Sequence, residues 1–227
     1  MKKKSSVRKK GRVYGGQDHD VRAAERREQF LQAGLEVFGT LGYRAATVRF
    51  ICKSAGLTDR YYYEAFGDAE TLLCAVYQKL MTDLRVQLTD AVSASPRSIE
   101  DAARAGLKVF FEHMRDPKIA RITLLEVLGV SPSVDAVYNA NTQSFANLLM
   151  LIATQFDSRL QLPPEQSLVT GVALAGAVTM TATHWMLDGY RLSLDAVVEG
   201  CYAVLIGTVR QFAKPQPPQA RRTRKAG

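Results

Sequence analysis

The chain has 227 residues, of which 47% are hydrophobic and 23% are charged. Such a composition excludes a largely disordered protein, because it supplies enough apolar side chains for a core. The net charge of +8 lies in the ends: residues 1–13 hold seven Lys and Arg residues, residues 214–227 hold five, and neither segment holds an acid. Residues 14–213 carry 18 basic and 22 acidic side chains. Basic ends on a mildly acidic body indicate either contact with a polyanion or two solubilising, disordered ends.

Cysteine usage and hydropathy indicate in which cellular compartment the protein is expected. Cys52, Cys74 and Cys201 lack the spacing of a metal site, which favours small core residues in a reducing cytoplasm. The charged, polar N-terminus gives no secretory signal. Residues 166–187 hold no charge, but six of them are Ser, Thr or His, which is polar for a membrane span. We expect a soluble, cytoplasmic protein without metal or cofactor, in which this segment is a buried or interface helix.

Helical periodicity dominates the chain, and no extended alternation of apolar and polar residues predicts a strand. An apolar stripe from Phe30 to Leu41 predicts a first helix over residues 21–41, which ends at Gly42. Pro, Gly and Ser residues then break the chain into further helices. After the first 67 residues we predict helices over residues 68–92, 98–115, 118–129, 133–160, 165–188 and 193–213. The predicted fold class is all-α.

Two short helices are predicted between the first helix and residue 68. Thr47 caps one that extends to about residue 54, and Thr58 caps another that ends by Gly67. Gly56 supplies the positive φ of the tight turn between them. This arrangement is the sequence form of a helix-turn-helix, whose second helix enters the major groove of DNA. Three consecutive tyrosines, residues 61–63, lie on that helix and cannot all be buried, so at least one hydroxyl is available to a phosphate.

The segment from Phe30 to Leu73 resembles the helix-turn-helix of the TetR family of transcriptional regulators over its whole length. The matching features are Phe38, Gly42-Tyr43, Thr47-Val48, Ile51, Ala55-Gly56-Leu57-Thr58, Tyr63, Phe66-Gly67 and Leu72-Leu73. The resemblance implies phosphate contacts from helix starts, base contacts from the second short helix and backbone contacts from the first. The DNA-binding residues it implies are Thr47, Arg49, Lys53, Thr58, Asp59, Arg60, Tyr61 and Tyr63.

Departures from the family pattern weaken the expected attraction to DNA. Ala69 stands where the family often has a phosphate-contacting lysine, and Asp59 and Glu64 add negative charge near the groove. Arg60, where the family often has a small residue, can donate to O6 and N7 of guanine. Glu64 either accepts from N4 of cytosine or, as we favour, faces solvent. We hypothesise that the basic residues 1–13 make up the lost affinity.

The resemblance also divides the chain. It predicts a disordered basic arm (1–20), a helix-turn-helix domain (21–67), a helical effector-binding and dimerisation domain (68–213) that begins with a connecting helix (68–92), and a disordered basic tail (214–227). The last two long helices are expected to form a homodimer interface, with an ordinary monomer core as the alternative. The residues assigned to it are Ala173, Ala175, Gly176, Ala177, Val197, Tyr202, Leu205 and Ile206.

Apolar side chains of the second domain are candidates for an effector cavity, although plain core packing is the alternative for each. His113 is a further polar candidate, and Arg121 with Glu126 forms either an internal pair or, as we favour, part of a solvated face. An apolar or amphipathic effector is expected. The candidate pocket residues are Phe110, Phe111, Met114, Leu125, Tyr138, Phe145, Leu149, Met180, His184 and Trp185.

The expected function is that of a TetR-like regulator and repressor, whose dimer binds a palindromic operator in double-stranded DNA and is released by a small effector. The alternative is an architectural or partner-regulated DNA-binding protein without an effector. No nucleophile elbow, P-loop, dinucleotide fingerprint or H-E-x-x-H motif occurs, so we do not expect an enzyme.

Overall fold

All regular structure in the described part of the chain is helical, which confirms the all-α prediction. The computed structural model describes residues 14–95, 98–156 and 162–213. A 3₁₀ turn, Tyr43–Ala45, follows the first helix, and a π-helical turn, Ile122–Glu126 (the π-turn), follows the sixth. The helices are α1 (Tyr14–Leu41), α2 (Val48–Ala55), α3 (Asp59–Ala65), α4 (Ala69–Ala94), α5 (Ile99–His113), α6 (Pro117–Arg121), α7 (Pro132–Phe156), α8 (Pro164–Leu187) and α9 (Leu194–Ala213).

The first helix is longer than the sequence pattern predicts. It begins at Tyr14, so the assignment of residues 14–20 to a disordered arm was wrong. Gly15 and Gly16 explain the error, because glycine is about 1 kcal/mol less favourable than alanine inside a helix and indicates a break. Residues 1–13 of the predicted arm, the predicted tail and residues 157–160 of the predicted seventh helix lie outside the described residues.

Aromatic packing holds α1 to α3 together. Phe30 and Tyr62 are fully buried and meet edge to face, with ring centroids 5.4 Å apart. Phe66 contacts both rings with centroids 6.2 Å away. Each such side chain stabilises the fold by about 1.5–3 kcal/mol through burial alone. Cys52 is buried beside this cluster and is a free thiol, as expected for a small core residue.

The second domain is built around α4, which packs on α5 and α7, while α5 also packs on α9 and α7 on α8. At the end nearest the DNA-binding helices, Trp185 meets Phe111 and Tyr190 edge to face, at centroid distances of 5.7 and 4.9 Å. The Tyr190 hydroxyl donates to the Met114 carbonyl at 3.0 Å. These contacts join α5, α8 and the loop before α9 into one core.

The two domains meet where α1 packs on α6 and the π-turn. A Cβ on Gly39 would lie only 2.4 Å from the Cβ of Lys118, so α1 and α6 touch backbone to backbone there. Lys118 Nζ also pairs with Glu36 Oε2 at 2.6 Å. Next to them, Arg121 Nε and Glu126 Oε1 are 2.7 Å apart and partly buried. The structure thus shows the internal pair and not the solvated face that we favoured.

An apolar face of α8 and α9 stays uncovered within the chain. Among the described helices, α8 is the one long and apolar enough to cross a membrane, and only 22% of its most apolar window is buried. Val169 and Met180 of α8 are each 68% exposed, and Val204 of α9 is 49% exposed. Small exposed residues continue this face on both helices: Ala173, Gly176, Ala196, Gly200, Ala203 and Gly207.

Part of the predicted interface is instead internal. Val197, Leu205 and Ile206 are buried within the chain, so their assignment to the contact between subunits was wrong. Tyr202 is half-buried, with the guanidinium carbon of Arg104 3.7 Å from its ring centroid. The error arises because one apolar stripe of α9 packs on α5, and the face left for a partner is made of smaller residues.

Candidate DNA-binding surface and ligand cavity

The turn between α2 and α3 has the geometry that the sequence predicts. Thr47 is the N-cap of α2, and its hydroxyl accepts a hydrogen bond from the Phe50 amide at 3.3 Å. Gly56 has φ +66° and ends α2, while the Leu57 amide donates to the Cys52 carbonyl at 3.1 Å. Thr58 is the N-cap of α3, but its hydroxyl makes no capping bond. That hydroxyl is exposed and free to donate to a phosphate.

The three tyrosines of α3 have three different environments. Tyr62 is fully buried and anchors α3 to α1, whereas Tyr63 is 58% exposed. Tyr61 is half-buried, and the guanidinium carbon of Arg26 lies 4.4 Å from its ring centroid. Burial strongly raises the pKa of Tyr62, so that hydroxyl stays neutral. Tyr63 is therefore the tyrosine of α3 best placed to reach DNA.

Most of the predicted DNA-binding side chains share one exposed surface. All of them except Tyr61 are exposed, and they come from α2, α3 and the two N-caps. Arg49 and Lys53 lie on α2, one turn apart on the same helix face. Arg44, exposed in the 3₁₀ turn before Thr47, was missed, although a basic residue three positions before the cap was a usable signal.

The charges of α3 are already paired within the helix-turn-helix. Arg60 Nε donates to Glu64 Oε1 at 2.8 Å, a contact that the sequence argument did not foresee, while Glu64 is exposed as that argument favoured. Burial, together with a hydrogen bond to Asp59, raises the pKa of the Cys52 thiol to about 11. Asp59 itself is exposed in the first turn of α3. Both acids reduce the positive potential that α3 offers to DNA.

A large apolar cavity lies in the second domain between α4, α5, α7, α8 and α9. The empty space inside it, counted together with the open solvent at its mouth, is about 1430 Å³. On α4 its wall extends from Tyr77 to Val92, which corresponds to about 22 Å at 1.5 Å per residue. On α7 the wall extends equally far, from Tyr138 to Ala153.

Only half of the predicted pocket residues line this cavity: Phe110, Met114, Tyr138, Phe145 and Leu149. Phe111 and Trp185 are instead buried in the core beside it, so their assignment to the wall was wrong. Leu125, Met180 and His184 are exposed on the outside, and their assignment was also wrong. Apolar periodicity identifies the faces of a helix but not what each face meets.

The wall contributed by α4 was missed. Tyr77, Met81, Leu84, Leu88 and Val92 recur every three or four residues and line the cavity along one side. This spacing was visible in the sequence, but it is equally typical of a connecting helix that simply packs on a core.

The cavity is electrically neutral over the described residues, since none of those that line it is Asp, Glu, Lys, Arg or His. Its threonines are largely satisfied locally: the Thr123 hydroxyl donates to the Ile119 carbonyl at 2.8 Å, and the Thr179 hydroxyl donates to the Ala175 carbonyl at 2.8 Å. An uncharged, aliphatic occupant fits the apolar side chains of this wall.

His113 lies outside the cavity wall, in a small cleft with Glu112 and Asp116. Burial lowers its pKa against the opposing effect of Asp83 and Asp116. Within the described residues no group of three or more His, Cys, Asp or Glu side chains is arranged to hold a metal ion.

An exposed recognition helix, positioned by a capped turn and joined to a helical domain with a large apolar cavity, defines the class of helix-turn-helix DNA-binding regulators. Comparison with known proteins narrows the class. No protein-family model matches the chain. The HTH-type transcriptional activator FasR of Mycolicibacterium smegmatis is 25% identical over 177 residues, which cover 78% of this chain and 79% of FasR. The fatty acid metabolism regulator protein of Bacillus subtilis is 22% identical over 184 residues, 80% of this chain and 94% of that protein.

A solved structure of a transcriptional regulator has the same fold as this chain. The transcriptional regulator FadR from Bacillus subtilis, in complex with stearoyl-CoA, superposes with a TM-score of 0.70 at 20% identity, covering 79% of this chain and 97% of that one. These matches confirm the resemblance predicted from Phe30 to Leu73: the chain is similar to TetR-type helix-turn-helix regulators and shares their fold.

Proposed function

We propose that the protein is a cytoplasmic, homodimeric regulator that binds a palindromic operator and releases it when a long-chain acyl effector fills the cavity. The observation that carries the proposal is the neutral, elongated cavity in a domain packed directly against the helix-turn-helix. Repression stays a prediction, since one relative is named a transcriptional activator.

DNA contact is assigned to α3 and the two N-caps. The free Thr58 hydroxyl and exposed Tyr63 would donate to phosphates, while Arg60 would exchange Glu64 for a guanine edge. An exposed i, i+4 pair contributes only about 0.3–0.5 kcal/mol, so this exchange costs little. Arg49, Lys53 and the twelve basic residues of the two ends would supply most of the electrostatic affinity.

The uncovered face of α8 and α9 supports the homodimer. Apolar residues such as Met180 and Val204 are exposed there, and the glycines and alanines between them allow helices to approach closely. A contiguous apolar face of this kind marks an interaction site. A two-fold axis through it would repeat the recognition helix, and two copies of α3 then match two half-sites of a palindrome.

The length and neutrality of the cavity support an acyl effector. An extended saturated chain advances about 1.25 Å per carbon for C–C bonds of about 1.5 Å, so a cavity of about 22 Å accepts roughly 17 carbons. FadR, the solved neighbour, was crystallised with stearoyl-CoA, and one relative is named a fatty acid metabolism regulator. A charged head group would stay at the mouth, because none of the described wall residues carries a charge.

Selection of DNA from random pools at about 150 mM salt, followed by binding assays on the selected site, tests the proposal. We expect a palindrome with half-sites about one helical turn apart. Palmitoyl-CoA or stearoyl-CoA should weaken its binding, whereas CoA alone should not. Recovery of no common sequence would favour an architectural protein, and a selected operator insensitive to acyl-CoAs and free fatty acids would reject the effector class.

A pair of variants on α4 separates the cavity from the DNA-binding surface. Leu88→Trp should block the cavity, because Leu88 lines it between Leu84 and the Val92 end, and should reduce the acyl-CoA response at least tenfold while operator binding is kept. Val86→Trp is the matched control, since Val86 is two residues away and 56% exposed. An equal response of both variants would contradict the assignment of the cavity.

A further inference from the structure

A polar clamp, formed by Arg121 and Glu126, holds the junction between α1 and the DNA-binding turn. Glu126 Oε1 accepts from Arg121 Nε at 2.7 Å, and Glu126 Oε2 accepts from the Tyr43 amide at 2.7 Å. Arg121 Nη1 donates to the Thr40 carbonyl at 2.7 Å. The clamp thereby satisfies a carbonyl at the end of α1 and the first amide of the 3₁₀ turn, groups that a helix end leaves without helical partners.

The clamp closes directly over Gly42, which has φ +85°. A Cβ at this residue would lie 2.6 Å from Arg121 Nη2 and 2.9 Å from Glu126 Oε1. The chain therefore turns from α1 toward α2 within contact distance of both clamp side chains. Any movement of Glu126 relative to α1 has to change the direction in which the chain enters the helix-turn-helix.

The same π-turn that carries Glu126 also closes one end of the cavity. Thr123 and Leu124 line the cavity and are only 4% and 5% exposed. The opposite end is lined by the partly exposed residues Val92, Ile99 and Phe212. A long chain would enter at that exposed end, so its tip would reach the π-turn. π-Helical turns in proteins are frequently found at functional sites.

We propose that Thr123 and Leu124 read the length of the effector chain, and that the polar clamp transmits this contact to the helix-turn-helix. The inference rests on the proposed acyl effector and deepens it. A chain long enough to contact Leu124 favours one position of the π-turn, and shorter chains bind without that contact. A ligand shifts the equilibrium between two states of a protein only if it contacts those states differently. Here the contact with Leu124 distinguishes the favoured position of the π-turn from the other one.

The first test measures coupling: the ratio of operator dissociation constants with and without saturating stearoyl-CoA, for the full chain. Allosteric coupling usually amounts to about 5–150-fold. In Glu126→Gln the side chain keeps its shape but loses one of its two acceptor oxygens. We expect unchanged affinity for stearoyl-CoA and at least a fivefold smaller coupling ratio. Arg121→Lys, which keeps the positive charge but loses the forked guanidinium, should also lower the coupling ratio. It provides an independent test if Glu126→Gln does not fold.

The matched control is Glu199→Gln. Glu199 Oε1 accepts from Arg104 Nε at 2.7 Å, the same geometry as in the clamp, but between α5 and α9. It should leave the coupling ratio unchanged. If both clamp variants fold and couple as the wild type does, or if Glu199→Gln lowers the ratio equally, the clamp is not the relay.

The second test measures chain-length preference with saturated acyl-CoAs of 10 to 20 carbons. Leu124→Phe should shift the most effective chain about two carbons shorter, because it fills about 2.5 Å of the closed end, and Leu124→Ala should shift it longer. An unchanged preference in both variants would overturn the length-reading role. A wild type that ignores every acyl-CoA would instead reject the proposed effector, which is a distinct result.

Discussion

Replacement of Gly39 by alanine tests whether the backbone contact between the two domains is as close as the structure indicates. The new Cβ would lie 2.4 Å from Lys118 Cβ and 2.8 Å from Lys118 Cα, and the backbone atom has no free rotation with which to withdraw. Overpacking of this kind costs about 1–3 kcal/mol, whereas the gain in helix propensity from Gly to Ala is about 1 kcal/mol. We expect a net destabilisation of up to about 2 kcal/mol.

The matched variant is Gly106→Ala in α5, where the nearest atom to the new Cβ is a Val92 methyl at 3.6 Å, an ordinary contact. It should stabilise the protein by up to about 1 kcal/mol. Urea unfolding followed by circular dichroism should therefore separate the two variants by about 1–3 kcal/mol. If Gly39→Ala were as stable as Gly106→Ala, the argument for a close α1–α6 contact would be refuted.

Three further predictions concern binding, assembly and pH. Arg60→Ala should lose discrimination at one operator base pair by about 1–3 kcal/mol with little change in stability, and equal losses on every sequence would assign Arg60 to phosphate contact instead. Val204→Glu should convert the dimer to monomer in sedimentation equilibrium, while Leu128→Glu, at a site equally exposed (48% against 49%), should not. Burial lowers the pKa of His113, so the folded state disfavours protonation of this side chain. The protein therefore loses stability as the pH falls below 6.5, the ordinary pKa of histidine. His113→Gln should flatten that loss between pH 7.5 and 5.5 in urea unfolding, and an identical pH profile would contradict it.

The DNA-binding unit was predictable because its signals are local. Thr47 caps within three residues, and Gly56 takes the positive φ that only a local turn requires. The argument that residues 61–63 cannot all be buried also depends on helix geometry alone. In the structure Tyr62 is fully buried and Tyr63 is exposed. The neighbouring residues of α3 determine which side of this helix is hydrophobic, and Tyr62 lies on that side.

The second domain was less predictable because each of its helices has more than one apolar face. Met180 and Leu205 both looked suitable for burial, yet Met180 is exposed and Leu205 lines the cavity. The internal pairing of Arg121 with Glu126 was considered but not favoured, for a different reason. Residues five apart do not meet on an α-helix, where partners are three or four apart, and the intervening π-turn brings them together.

The arrangement of charge on α3 separates sequence discrimination from affinity. Arg60 is held by Glu64, and Asp59 adds a negative charge in the first turn of α3, so the recognition helix has no unpaired positive charge with which to attract DNA from a distance. On the proposed function, discrimination would come from short-range hydrogen bonds formed after Arg60 leaves Glu64 for a base. Long-range attraction is left to cations elsewhere, namely Arg49, Lys53 and the basic ends of the chain. An effector that reorients α3 through the π-turn would therefore abolish specific contacts while leaving nonspecific attraction nearly intact.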